Sequence, residues 1–387
     1  VHLGIAGQCL TLAAMVVPIL LRETEQVLVL VFASAVAGLL VNPGMLAFQF
    51  VFPVVRGPRM LRVATGTSLL SLGVVSAAVL TLTPLEPLLD VPRGTFSAVA
   101  AITAAWGCYS IVGTRLVRAG DVTGIGLSRL YYGVAALTAS LVASLVELGP
   151  LALSYGTGIS YLAAALALAP RRSHRNPALP STGAAGRRRL RRAYLARAGR
   201  PALASLANGW TTLVPGLVLP GLGAAGEPWA IVCRICGGFA TVLMALVAPP
   251  LAIRQSRAVR LRQAAEYATA RRTGLQVGAA AAVVGVASGL ALALYSTDAT
   301  VGAAWFPTIA VAAVLYWGSL LAGTLVDRLP NFLGRDTARL FWDAGRAAVL
   351  TLVFFLVDGT LGLITMGVAM ALSSLVLLPM TRWQRTA

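Results

Sequence analysis

A chain of 387 residues that is 58% hydrophobic and only 11% charged, with a mean hydropathy of +0.81, is far poorer in charge than a water-soluble domain, in which about a quarter of residues are charged. Soluble folds keep charge outside because ionised groups are costly to bury, so a chain this depleted must present its surface to lipid. The formal charge of +18 raises nucleic acid as a partner, and the placement of the arginines excludes it.

Apolar runs of the ~17–25 residues needed to cross a bilayer lie at 3–21, 27–48, 63–84, 95–114, 130–148 and 151–168. A second set follows a basic stretch, at 201–222, 228–252, 275–296, 303–326, 340–357 and 360–380. Without water in the hydrocarbon every backbone amide must bond within its own segment, so long uncharged runs signal helices, whereas a barrel would show short alternating strands. The expected fold is therefore an all-α polytopic membrane protein of about 12 transmembrane helices in two six-helix lobes, at 1–169 and 201–387, joined by a basic cytoplasmic linker at 170–200. The first run lacks the basic start and small-residue cleavage site of a signal peptide. With valine at position 1, either the chain is clipped or the first codon was read literally.

All 31 basic residues are arginine, and they fall in alternate connections. Arg56, Arg59 and Arg62 follow the second helix, and Arg115, Arg118 and Arg129 the fourth. Ten lie between the sixth and seventh: Arg171, Arg172, Arg175, Arg187, Arg188, Arg189, Arg191, Arg192, Arg197 and Arg200. Arg254, Arg257, Arg260, Arg262, Arg271 and Arg272 follow the eighth, Arg328, Arg335, Arg339 and Arg346 the tenth, and Arg382 and Arg385 the twelfth. The odd-numbered connections hold only Arg22 and Arg93. By the positive-inside rule both termini are expected in the cytoplasm. The acids Glu23, Glu25, Glu86, Asp90, Glu147, Glu227, Asp298 and Asp358 fall on the outer side. Insertion explains this pattern without a polyanionic partner, and basic inner loops near anionic headgroups suit lipid. The ten-arginine stretch reads as a linker and stop-transfer signal, or over 187–200 as a basic amphipathic helix on the inner leaflet.

The two halves echo one another. Val16-Val17-Pro18 precedes Pro53 by 35 residues, Leu213-Val214-Pro215 precedes Pro250 by the same 35, and an offset of 197 relates both pairs. Six spans per half give both repeats the same orientation, so their axis lies along the membrane normal and the bundles can rock against each other. Pro18 and Pro215 are candidate hinges, since a proline inside a membrane helix bends it.

Little in the sequence points to catalysis. Cys233 and Cys236 form a C-x-x-C inside an apolar helix with no second pair, so metal or redox work is not expected. His2 and His174 are isolated. The outer connections are too short to hold an acceptor and an acid or base, so neither an enzyme nor a cofactor is expected. The polar groups inside the spans are more informative: Gln8, Asn42, Gln49, Tyr109, Asn208, Trp210 and, inside the eighth helix, Arg234. A guanidinium there costs roughly 2.5–3.5 kcal/mol on insertion scales unless it meets water, an anion or partners. Two fates are open: facing a cavity, its planar fork suits the pyrophosphate of a lipid-linked substrate; at the outer interface it snorkels or pairs with Glu227. No carboxylate falls at the expected centre of any helix, which disfavours a proton-driven exporter of cationic drugs.

The run Gly221 to Gly226, then Ala230 to Ile235 around Arg234 and on to Arg254, resembles the helix 7–8 region of polysaccharide flippases of the Wzx type. So does Leu333-Gly334-Arg335-Asp336 leading into Phe341-Trp342-Asp343 and Arg346. The first half is similar in layout, with Asn42-Pro43-Gly44 where many members carry an acid and glycine, and Arg129 entering helix 5. The resemblance implies the multidrug/oligosaccharidyl-lipid/polysaccharide exporter fold, with two lobes around a central cavity lined by helices 1, 2, 7 and 8. It also implies flipping of undecaprenyl-pyrophosphate-linked oligosaccharide units across the bacterial cytoplasmic membrane by alternating access, with membrane lipids around it and a polysaccharide polymerase or glycosyltransferases as working partners. The alternatives are a cation-coupled drug or metabolite antiporter of the same fold, which calls for an acidic cavity, and a non-transporting scaffold of a polysaccharide assembly system.

Overall fold

A computed structural model of the chain describes residues 2–52, 57–119, 121–146, 148–168, 184–296, 299–327 and 329–383. Pro53, Arg56, Glu147, Asp298, Arg328 and Arg385, and Arg171, Arg172, His174 and Arg175 of the basic stretch, lie outside the described residues.

Twelve long helices run through the described residues, one for each expected span. The first six are α1 (His2–Leu20), α2 (Thr24–Gly44), α3 (Pro58–Leu80), α4 (Thr95–Ala119), α5 (Val122–Leu145) and α6 (Ala152–Leu168). Then come α7 (Ala184–Leu217), α8 (226–260), α9 (Ala264–Ser296), α10 (299–323), α11 (Asp336–Leu356) and α12 (Gly359–Met380). Among the described residues there is no strand, and the chain has the all-α, multi-pass membrane architecture that its composition demands.

The helices outrun the apolar windows because hydropathy reports only the part that lies in oil. α3 starts at Pro58, where a proline at the first helical position loses no intrahelical bond, and α5 is capped by Asp121, whose carboxylate accepts from Gly124 N at 2.7 Å. α7 is one continuous helix of 34 residues that absorbs the basic residues from Arg187 onward. It ends at Leu217, earlier than the apolar window, where the Pro220-containing 3-10 turn Leu219–Ala225 takes over.

The chain divides into two compact units, Val1–Leu213 and Val214–Ala387. In the first, α1 lies against α5, and α4 packs on α2, α3 and α6. The α1–α5 contact is made by glycines: a β-carbon at Gly7 would stand 2.5 Å from the backbone carbonyl of Arg129, and one at Gly133 would collide with the Gly7 carbonyl oxygen. Small residues that let two backbones touch are a recurrent device of membrane helix packing, where water supplies no hydrophobic drive.

Between α3 and α4 the carboxylate of Glu86, 1% exposed, takes Gly94 N on one oxygen and Phe96 N on the other, each at 2.8 Å. Those amides belong to the start of α4, which has no intrahelical partners for them, and the positive end of the helix dipole favours the anion. Bonds to a charged group contribute about 1.5–3 kcal/mol each way of counting, so Glu86→Ala is expected to cost at least about 2 kcal/mol. A lowered thermal unfolding midpoint of the purified protein checks this, with Glu86→Gln in between.

In the second unit α9 packs on α8 and α10, and α12 on α10 and α11. The carbonyls at the end of α12 are taken by side chains from α9 and from Arg335, the residue before α11. Tyr267 OH donates to Thr381 O at 2.8 Å, Arg335 Nη1 to Met380 O at 2.8 Å and Arg271 Nη2 to Leu378 O at 3.2 Å. α8 contains a π-helical turn, Leu243–Val247, and α10 another, Val314–Gly318. In α8 the turn leads directly into Pro249 and Pro250, whose missing amides and bulky rings force the preceding carbonyls apart.

Pro18 and Pro215 both sit two residues before the end of their helices, so the repeat seen in sequence extends to the helix ends, Leu20 and Leu217, at the same offset of 197. Pro18 is buried, and the carbonyl of Pro215 accepts Trp229 Nε1 at 2.9 Å.

Candidate functional site

In the first unit four aromatic rings form one connected group. Tyr161 of α6 stacks on Trp106 of α4 at a centroid distance of 5.6 Å with planes 3° apart, and on Tyr132 of α5 at 4.5 Å. Tyr109 of α4 closes the group, 5.5 Å from Tyr161 and 5.7 Å from Tyr132. All four lie near the midpoints of helices of 25, 24 and 17 residues. Membrane tyrosines and tryptophans ordinarily gather at the two interfaces, where ring and hydroxyl each find their medium, so a mid-helix group needs another reason. The four rings are half-buried, unlike the core tyrosines Tyr194 and Tyr267 at 0% and 1%.

Helices α2 and α7 meet this group. A β-carbon at Gly38 would stand 3.0 Å from Leu213 Cδ1 and 3.2 Å from Trp106 Cζ3, so the glycine lets α4 and α7 both close on α2. One turn on from Gly38 along α2 is Asn42, and one turn back from Leu213 along α7 is Trp210, half-buried. Asn42 Oδ1 accepts Gln49 Nε2 at 2.8 Å. This amide pair spans a sharp reversal in which Leu46 and Ala47 both have positive φ, 54° and 49°, in the left-handed region that side chains resist. The reversal is held from both sides. Ala47 N bonds to Asn42 O at 2.9 Å, Phe48 and Phe52 stack at 4.3 Å, and Arg118 at the end of α4 donates to Phe52 O at 2.6 Å.

The structure thus draws Asn42, Gln49, Tyr109 and Trp210 into neighbouring elements of one unit. Asn208, one turn before Thr212, is exposed, and its carbonyl accepts the hydroxyls of Thr211 and Thr212 at 2.8 and 3.0 Å. Gln8 is half-buried in α1, with a buried Oε1 that has no hydrogen-bond partner among the described residues. Arg234 belongs to the second unit, half-buried in α8 between the buried, free thiols Cys233 and Cys236.

The second unit also holds a charge cluster that hydropathy hid. Arg339 is 8% exposed and bridges two acids, with Nη2 on Asp327 at 3.1 Å and Nε on Asp343 at 3.0 Å. Asp343 takes Arg346 on its other oxygen at 3.2 Å. Trp342 lies under both guanidiniums, 5.4 Å from Arg339 and 4.1 Å from Arg346, and donates its Nε1 to Ser373 O at 2.8 Å. Two acids and two arginines leave the cluster neutral. The apolar window started this helix at residue 340 and left Arg339 in the preceding loop; the helix in fact starts at Asp336, which puts Arg339 on the same helix as Asp343 and Arg346. The signal was present as i, i+4 and i, i+3 spacing of opposite charges. Trp106, Tyr132 and Tyr161 were missed for a different reason: hydropathy scores an aromatic ring as lipid-compatible, and only the i, i+3 pair Trp106 and Tyr109 hinted at a shared face.

Twelve long helices, a mid-helix aromatic group and buried neutralised charge define the class: an all-α polytopic membrane protein. No family model matches the chain, and no curated protein does. Solved structures match over almost its whole length. An inward-facing multidrug resistance MATE family transporter of the MOP superfamily is 13% identical at a TM-score of 0.62, covering 95% of this chain and 92% of that one. The lipid II flippase MurJ, in an inward closed conformation, is 9% identical at 0.65, covering 97% and 86%. A MOP superfamily transporter from Pyrococcus furiosus, for which a reverse polarity of the binding pocket suggests a different function, is 14% identical at 0.54, covering 97% and 93%. The chain has the fold of the MOP superfamily.

Proposed function

We propose that this chain is a transporter, not an enzyme, that flips a lipid-linked oligosaccharide across the bacterial cytoplasmic membrane by alternating access, with both termini in the cytoplasm. The observation that carries the reading is the group of Trp106, Tyr109, Tyr132 and Tyr161, together with the Asn42–Gln49 amide pair at the end of α2, the helix that packs on α4. Sugars present flat C–H faces that lie on aromatic rings and hydroxyls that pair with amides, and they carry no charge for an acid to hold. Helices α4, α5 and α6 contain no carboxylate at all. Arg234 is assigned to the pyrophosphate of the carrier, and Pro18 and Pro215 to the bends that let helices 1 and 7 move. The lobes assigned to that motion are 1–169 and 201–387, with 170–200 as the linker. The likeness to a lipid II flippase supports a substrate of this class, and glycosyltransferases or a polymerase are the enzymes expected to work beside it.

The test measures lipid-linked sugar reaching the outer leaflet in cells that depend on this protein. Trp106→Ala and Tyr161→Ala, each removing a stacking ring, are expected to cut delivery at least about fivefold, from the ~1–3 kcal/mol that a stacked ring contributes, at unchanged protein level. Normal delivery by cells lacking the chain and any substitute would end the proposal.

The second reading, a cation-coupled antiporter, is favoured by Asp327 and Asp343, acids inside a unit of a fold shared with multidrug transporters. Both acids are held by arginines, and this is why the first reading stands ahead. An Asp343→Asn variant that loses drug resistance while sugar delivery is untouched would reverse the order.

A further inference from the structure

The basic half of α7 is not a free surface helix. Tyr194, fully buried, shares a 2.8 Å hydrogen bond with Ser68 of α3, and Tyr194 and Ala198 enter one apolar cluster with Met60 and Ala64, with Leu190 packed against it. Leu190, Tyr194 and Ala198 are spaced one turn apart, so they define the docked face. At 100° per residue Arg188, Arg189 and Arg192 fall on the opposite side, and all three are exposed. Arg59 and Arg62 at the start of α3 are exposed as well. Neither helix contains a single acid.

The Tyr194–Ser68 bond also sets the depth. Three crossings, α4 to α6, lie between α3 and α7, so the two enter the membrane from the same side. Ser68 lies five residues past residue 63, where the apolar stretch of α3 begins, which at a rise of 1.5 Å is about 7–8 Å inside the hydrocarbon. Arg192 and Arg188 precede Tyr194 by about 3 and 9 Å along the helix axis. Their long side chains therefore end at headgroup level, where a guanidinium meets phosphate.

We propose that the Arg188, Arg189 and Arg192 face of α7, with Arg59 and Arg62, is a docking surface for the anionic phospholipids of the leaflet it enters. Phosphodiester headgroups are the complementary charge present at that depth, and the docked tyrosine holds the arginines in place for them. Each arginine near an anionic leaflet strengthens binding about fivefold.

The purified full-length protein is titrated with phosphatidylglycerol or phosphatidylcholine and bound lipid is counted by native mass spectrometry. Arg188→Gln with Arg189→Gln and Arg192→Gln is expected to weaken phosphatidylglycerol binding at least about tenfold and to leave phosphatidylcholine unchanged, and the difference should vanish in high salt. The same three positions changed to lysine should bind as the parent does. A control triple of exposed arginines in the second unit, Arg257, Arg262 and Arg272 to glutamine, should weaken binding clearly less than the α7 triple does. Arg192→Gln alone, which removes one exposed charge, gives the same reading at about fivefold if the triple does not fold. Phosphatidylglycerol affinity within twofold of the parent in the glutamine triple, an equal loss in the control triple, or an equal loss of phosphatidylcholine overturns the proposal. So does retention of phosphatidylglycerol with loss of an isoprenyl pyrophosphate, which would hand the face to the transported lipid.

Discussion

Replacing Arg339 with alanine is expected to destabilise the second unit by about 3–5 kcal/mol, the cost of removing one partner from a buried ionic group. The physics is asymmetric. With the guanidinium in place, Asp327 and Asp343 share a cation at 3.1 and 3.0 Å, and the plane of Arg339 lies over Trp342. Without it Asp327 loses the only ion pair described for it, and Asp343 keeps Arg346 alone, on one oxygen at 3.2 Å. A lysine at 339 keeps the charge but not the fork, so it holds one acid at a time and should fall between parent and alanine. Thermal unfolding of the purified protein measures the series. The double variant Arg339→Ala with Asp343→Ala should be less impaired than the sum of the singles, because the second change removes the acid that the first leaves exposed to oil. A single alanine variant that melts with the parent would remove the cluster from any account of stability.

Gly7→Leu should abolish the folded protein. Most oversized substitutions are relieved by turning a side chain, at a cost of about 1–3 kcal/mol. Here the obstruction is the β-carbon itself, which no rotamer moves: it would sit 2.5 Å from the carbonyl carbon and oxygen of Arg129 and 2.7 Å from Leu130 N. Backbone faces backbone, so α1 must lift from α5 along its length. Gly133 meets Gly7 from the other side and should behave alike. Gly73→Leu is the contrast, since a β-carbon there meets nothing within 4 Å. Yield of monodisperse protein after extraction is the readout, with Gly7→Leu expected at least tenfold below parent and Gly73→Leu close to it. Equal yields would show that the two helices are free to separate.

What the amino acids disclosed follows from which forces act locally. Each apolar window contains one helix because transfer into lipid is a property of a segment and needs no knowledge of its neighbours. The end of α7 at Leu217 and the reach of α9 back to Ala264 were not visible, since caps and polar extensions are decided by a few groups that hydropathy averages away. Arg187 to Arg197 read first as linker and stop-transfer signal, with a surface helix as the other option; only the burial of Tyr194 against Ser68, a contact between residues 126 apart, decides that they prolong a membrane helix. In the candidate site the polar members Asn42, Gln49, Tyr109 and Trp210 stood out because amides and indoles are rare in oil. Their aromatic neighbours Trp106, Tyr132 and Tyr161 did not, because three separate helices must pack before their rings meet. Arg339 and Asp343 were legible as a spacing and illegible as a buried group, for the apolar window began one residue after Arg339 and left it outside the helix that carries Asp343.

The π-turn at Leu243–Val247 carries a consequence for any map drawn on α8. A widened turn takes in one extra residue without advancing the spiral, so everything beyond it is rotated by about 100° from where an unbroken helix would place it. An unbroken helix would set Arg234 and Arg254, 20 residues apart, about 160° from each other, and the π-turn displaces Arg254 by about 100° from that place. A cysteine-accessibility series along 226–260 should show two wave trains out of step, spliced where the prolines begin.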